Sequence, residues 1–253
     1  MRSPYLIEVK KIMLNNIPCL LVRPTSFSGK LPTLFHYHGW SSKKEKHQFF
    51  ATTIAQYGYQ VILPDSNYHG DRNPLSDYSP NDLKEYFPKI IVQSVKEFNR
   101  IRQEAEELYD VDKNRIAVSG NSMGGFIVSS IFARNQDIKL LVCLNGASAW
   151  KKAIAMFQQM EELDGAYNMY EEELKEFDPL TYKDTFYPRP ILMLHGDADT
   201  SVPIDIQRSF YKEIYSLYED HPEKIKLEEY KNMNHHISIR MVESAVIWLD
   251  KYV

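Results

Sequence analysis

Residues 120–125 read GNSMGG, a serine with a glycine two positions to either side. RIAVSGN before it is the apolar run of a buried strand, and MGGFIVSSIFAR after it has the pattern of a helix. G-x-S-x-G between a strand and a helix is the signature of a nucleophile elbow. The turn is so tight that the serine backbone is strained, and side chains two positions away would collide with it. Ser122 then projects at the tip, and the Met123 N–H, at the helix terminus, faces an incoming oxyanion. A serine hydroxyl is a poor nucleophile unless a base takes its proton and a carboxylate orients that base. The chain should therefore supply an acid and a histidine, each after a later strand.

PILMLHGDADTSVP carries Asp197 and Asp199 in the loop after an apolar run. Asp197 is close enough to the strand end to bond loop amides as a turn former. Asp199 lies farther out, where the turn heads into a helix opened by Pro203, and is the favoured acid. The histidine must come from NMNHHIS, residues 232–238, where His235 and His236 stand side by side. Ser238 suits the N-cap of the last helix, with Ile237 and Val242 as a hydrophobic staple. The staple turns Ile237 inward; along an extended approach His235 shares that side and His236 points away.

A second oxyanion donor is expected in HYHGWSS, where Gly39 lets the backbone run close to the substrate and the Trp40 N–H is aimed into the site. His36 and His38 read as structural strand-end residues. Gly39, Trp40, Trp150 and Phe157 are the candidates for lining the substrate pocket. DSNYHGDR, residues 65–72, brings Asp, His, Asp and Arg together. Its donors crowd one loop without the separated spacing of a closed metal site, so loop-stabilising hydrogen bonds are expected, with no metal and no other cofactor.

The elements that must position these residues follow from pattern. YLIEVKKI and PCLLVRP read as a hairpin turning at Asn15 and Asn16. LPTLFHYHGW, YQVILPD, RIAVSGN, KLLVCLNG, PILMLHGD and IKLEEY read as further strands. Helices are expected over 44–57, with Phe49, Phe50, Thr53 and Ile54 facing the core, over 83–108, where Pro88 should interrupt near the start, and over about 204–219 and 239–252. Such alternation predicts a mostly parallel sheet covered on both faces, with ligand sites beyond the carboxyl ends of its strands. Residues 148–180 break the rhythm as a helical insertion whose Ala153, Met156, Phe157 and Met160 form an apolar stripe, either packed on the body or lining an acyl pocket as a cap.

A net charge of -4 gives no electrostatic footprint for nucleic acid. No segment approaches the ~20 apolar residues of a membrane span, and MRSPYLIEVKKIMLNN has no apolar run of signal-peptide length. Cys19 and Cys143 suit reduced, buried thiols. The expected compartment is the cytoplasm.

YHGWSSKKE, VILPDSNYHGDR, SGNSMGG, LHGDADTSVP and NHHIS together resemble the α/β-hydrolase superfamily, in its branch of small prolyl-oligopeptidase-like and dienelactone-hydrolase-like carboxylesterases. The likeness runs from about residue 15 onward. It implies one α/β-hydrolase domain with an eight-stranded, mostly parallel sheet and a small helical cap insertion. It also implies cofactor-free hydrolysis through an acyl-enzyme and a triad of Ser122, Asp199 and His235. The Ser, Asp, His order is the one expected for that fold. Asp199 takes the fifth place of HG-x-x-D-x-x-V-P, and Asn234, which also tolerates a left-handed backbone, stands where the family commonly has glycine before the histidine. A dienelactone hydrolase would carry cysteine at position 122, and about 30 residues before YHG leave no room for an oligopeptidase propeller. The expected activity is hydrolysis of small to medium carboxylic esters, with thioesters, amides or short peptides as alternatives on the same triad. A hydrolase-fold binding protein without turnover is the reading from a different class.

Overall fold

The computed structural model describes residues 6–161 and 170–253. β1 (Ile7–Leu14) and β2 (Ile17–Pro24) form the hairpin, with Asn15 and Asn16 at φ 49° and 61°. Positive φ at both central residues is what a two-residue turn matched to strand twist requires, and asparagine tolerates it. β3 (Leu31–Tyr37), β4 (Gln60–Pro64), β5 (Val111–Asn121), β6 (Leu140–Leu144), β7 (Ile191–Gly196) and β8 (Ile225–Tyr230) complete one sheet in the order β1-β2-β4-β3-β5-β6-β7-β8. β2 runs antiparallel to both neighbours and every later pairing is parallel. The carboxyl ends of β3, β5, β6, β7 and β8 therefore share one edge.

Side chains alternate across this sheet into two cores. Phe35, Val118, Cys143 and Met193 face one core, Leu34, Ala117, Val142 and Leu194 the other. With apolar partners on both faces, these strands read as unbroken apolar runs rather than alternating ones. The first core is covered by α2 (Pro80–Leu108), α3 (Met123–Arg134), α4 (Trp150–Glu161), α5 (Glu171–Phe177) and α6 (Asp205–Ile214). The second is covered by α1 (Gln48–Ala55) and α7 (Ile239–Tyr252).

Two expectations about helices are corrected. α2 runs unbroken through Pro88 from a capping box in which Ser79 and Asp82 bond each other's backbone amides. A proline inside a helix costs ~3 kcal/mol or more. Burial of Phe87, Ile90, Ile91, Val95, Phe98 and Ile101 on the core, at about 1.5–3 kcal/mol for each large side chain, outweighs that cost. Phe49 is 68% exposed, and the core face of α1 is Phe50, Ala51, Ile54 and Ala55. Residues Lys44–His47 form a 3-10 turn, so the 3.6-residue phase begins only at Gln48 and carries Phe49 outward. Of the 148–180 stripe, Ala153 is buried and Met156 and Phe157 pack partly on the first core. Met160 and the stretch 162–169 lie outside the residues described in full.

Candidate active site

Ser122 joins the end of β5 to the start of α3 at φ 55° and ψ −120°, a region that few non-glycine residues adopt. A Cβ at Gly120 would stand 2.1 Å from the Gly124 carbonyl oxygen, and one at Gly124 would stand 2.0 Å from that of Tyr37. Only glycine lets β3, the turn and α3 meet this closely. The Ser122 N–H donates to the Leu144 carbonyl at 2.9 Å, which fixes the turn to the end of β6. Met123 is the first residue of α3, where backbone N–H groups have no acceptor within the helix.

The loop after β3 lies against the serine. A Cβ on Gly39 would be 3.1 Å from Ser122 Cβ. The Gly39 carbonyl accepts from His38 Nδ1 at 2.8 Å and from the Ser42 N–H at 3.3 Å. Trp40 is half-buried, edge-on to Tyr78 with ring centroids 5.4 Å apart. An aromatic run continues from Trp40 through Phe87 and Phe126 to Phe157, whose ring stacks on Phe126 at 6.3 Å. Trp150 is a correction: it is fully buried, and its indole N–H donates to the Phe126 carbonyl at 3.1 Å. As the first residue of α4 it roots that helix in the core and has no surface to offer a substrate.

Asp199 and His235 are brought together, with His235 Nδ1 2.7 Å from Asp199 Oδ2. Oδ1 of the same carboxylate accepts the Ser201 and Val202 N–H groups, each at 2.9 Å. Asp197, by contrast, is exposed and accepts the Asn232 N–H at 2.7 Å, the work of a turn former. The left-handed residue of this loop is Asn232, at φ 56°, and Asn234 has another use. Its side-chain oxygen accepts the His235 N–H at 2.7 Å and the Thr200 N–H at 3.0 Å, clasping the histidine loop to the acid loop. His236 is exposed. Ser238 caps α7, accepting the Met241 N–H at 3.3 Å, and Ile237 packs on the core that holds Val242.

Ser122 Oγ makes no hydrogen bond to His235 among the described residues. The serine and the Asp199–His235 pair share the edge of the sheet without that contact, a common state in a free enzyme, where catalytic hydrogen bonds tighten on substrate binding. Two residues that sequence reasoning passed over hold the pair in place. His195 Nε2 lies 2.8 Å from the Val202 carbonyl and 3.3 Å from Asp199 Oδ2. Asn145, wholly buried at φ 44°, accepts the Gly196 N–H at 3.1 Å and donates to the His236 carbonyl at 2.9 Å, joining the ends of β6 and β7 to the histidine loop. Nothing local to KLLVCLNG sets Asn145 apart from an ordinary strand-end residue, because both of its side-chain partners lie far along the chain.

Burial raises the Asp199 pKa, but the hydrogen bonds from His195, His235 and Val202 outweigh it and hold the carboxyl well below the usual carboxylate range. A carboxyl depressed in the folded state stabilises the fold above its unfolded pKa of roughly 3.9, and that contribution is lost as pH falls through the folded value. Asp199→Asn is therefore expected to lower stability at pH 7 by about 2 kcal/mol, and the gap from wild type should narrow as pH falls below about 4. Urea denaturation of both proteins at pH 7 and pH 3 measures it; a gap that is the same at both would assign the loss to packing.

Residues 89–253 match the model of the prolyl oligopeptidase family. The chain is 30% identical over 207 residues to Esterase YjfP of Escherichia coli, covering 79% of this chain and 82% of that protein. It is 25% identical over 260 residues to YitV of Bacillus subtilis, covering 98% of this chain and 100% of that one. Among solved structures it is similar to TT1662 from Thermus thermophilus, with a TM-score of 0.79, 17% identity, and 97% and 98% of the two chains covered. With an elbow serine, an Asp–His pair and an eight-stranded α/β-hydrolase sheet already in place, a family match over most of its length means that the chain belongs to the prolyl oligopeptidase family.

Proposed function

We propose that the chain is a serine hydrolase acting on small to medium carboxylic esters. The observation that carries the reading is the 2.7 Å Asp199–His235 hydrogen bond at the sheet edge where Ser122 occupies its strained elbow. Ser122 Oγ attacks the ester carbonyl while His235 Nε2 takes its proton, and Asp199 holds the imidazole with Nδ1 protonated. The tetrahedral oxyanion rests on the Met123 and Trp40 N–H groups. His235 then returns the proton to the departing alcohol, leaving an acyl-Ser122. Water, deprotonated by the same histidine, releases the acid and restores the serine. Trp40 and Phe157, at the two ends of the aromatic run, line the acyl side, with Gly39 giving the substrate its close approach.

The described part of the 148–180 segment is read as a cap on one α/β-hydrolase domain, since α4 places Phe157 at the end of the aromatic run that starts at Trp40 in the loop beside Ser122. The ligand is a small ester, and the net charge of -4 argues against a nucleic-acid partner. Among the described residues no helix is long and apolar enough to cross a membrane. Free, buried Cys19 and Cys143 support a cytoplasmic location. A second reading, cleavage of amides or short peptides, is favoured by the family itself.

The purified protein is expected to turn over p-nitrophenyl acetate and butyrate, to hydrolyse the matching anilides at least about a hundredfold more slowly, and to be labelled by a fluorophosphonate at Ser122. Comparable rates on esters and anilides would move the assignment to amide hydrolysis. Absence of labelling in folded protein would remove the serine mechanism altogether.

A further inference from the structure

The Asp65–Arg72 segment takes no part in the steps above, yet its His69 meets the loop carrying Gly39 and Trp40, with its ring centroid 5.3 Å from that of Trp40. His69 is fully buried. Its Nδ1 lies 2.9 Å from the Asn67 carbonyl oxygen, which only accepts, so Nδ1 carries the proton and Nε2 presents a lone pair. That lone pair receives the Ser41 N–H at 3.2 Å. Burial keeps the His69 pKa below the ordinary imidazole range, which preserves the acceptor at neutral pH. Ser41 itself sits at φ 55°, a conformation that a non-glycine residue keeps only when its surroundings impose it.

The consequence falls on two successive peptide planes. The Ser41 N–H belongs to the plane that also holds the Trp40 carbonyl, and the Gly39 carbonyl, bonded by His38, shares its plane with the Trp40 N–H. His69 and His38 thus grip adjacent peptides from behind, with ring centroids 5.1 Å apart. The platform under His69 is rigid. Asp65 accepts the Lys44 N–H at 3.0 Å, the Asp71 N–H at 2.9 Å and Lys44 Nζ at 2.5 Å. Gly70, at φ 56°, leaves room for that carboxylate, because a Cβ there would be 2.3 Å from it.

We propose that His69 is a positioning residue for the reaction: by accepting the Ser41 N–H it sets the orientation of the Trp40 amide beside Ser122. This rests on the reading of Trp40 as an oxyanion donor. The role should be felt in the transition state and little in substrate binding, since His69 has no exposed surface to touch a ligand.

His69→Leu and His69→Asn lack an acceptor at the Nε2 position, whereas His69→Gln can place its side-chain oxygen there. On p-nitrophenyl acetate, Leu and Asn are expected to lower kcat roughly 10- to 100-fold with KM within about twofold, less than the loss of a whole donor. Affinity for a trifluoromethyl ketone should fall in parallel, and Gln should recover kcat to within about threefold of wild type. Wild-type kcat in Asn, or a Gln variant as impaired as Asn, overturns the proposal; should Leu fail to fold, the Gln and Asn pair still decides. Ser122→Ala in the same panel separates the two levels: if it keeps its activity, the serine reading falls first.

Discussion

Ser122→Ala should reduce ester turnover about a millionfold, to the residual rate that binding and oxyanion donors sustain without a nucleophile. The size follows from the way the group works: the imidazole and its carboxylate have nothing to activate once Oγ is gone. Stability should hardly move. Serine and alanine both carry a Cβ, so the strain of φ 55° and ψ −120° is the same in both, and the backbone bonds to Leu144 and Gly125 remain. An unchanged melting temperature beside lost turnover and lost fluorophosphonate labelling is the expected result. A purified alanine variant that still turned over p-nitrophenyl acetate would sink the serine mechanism.

What the sequence made legible depended on how locally each feature is encoded. The parallel strands were readable because both of their faces are buried, which leaves runs such as LLVCL and ILML without a polar break. The elbow was readable because steric exclusion at Gly120 and Gly124 writes itself as two glycines around a serine. The register of the last loop was readable because Ser238 and Ile237 carry a local capping signal. Phase and depth were less accessible. The outward turn of Phe49 depends on a 3-10 turn that its own periodicity does not show. The burial of Trp150 depends on Phe126, 24 residues away. The buried hydrogen bonds behind the site span still more chain: Ser41 to His69 is 28 residues apart, and Asn145 to His236 is 91. No window of sequence contains both partners of such a bond, so Asn145 and His195 read as ordinary strand-end residues until the strands are laid side by side.

The adjacent histidines should separate completely. His235→Ala is expected to lose about as much as Ser122→Ala, because base and nucleophile act as one unit, and the double variant should be no worse than either alone. His236→Ala should keep kcat within about threefold of wild type. Its imidazole is exposed, and what residue 236 gives the fold is backbone, an N–H to the Asn234 carbonyl and a carbonyl to Asn145, both of which alanine retains. The asymmetry has a source one residue upstream. Asn234 holds the His235 N–H and the Thr200 N–H on a single oxygen, so the backbone of residue 235 is clasped to the loop of Asp199 and its ring meets the carboxylate. Loss of that ring also leaves Asp199 Oδ2 with His195 as its remaining side-chain partner, and His235→Ala should cost about 1–3 kcal/mol of stability at pH 7 that His236→Ala does not. Steady-state kinetics and urea denaturation on the two single variants measure both effects. Activity lost at 236 and kept at 235 would place the base one residue later and make the Asp199–His235 bond purely structural.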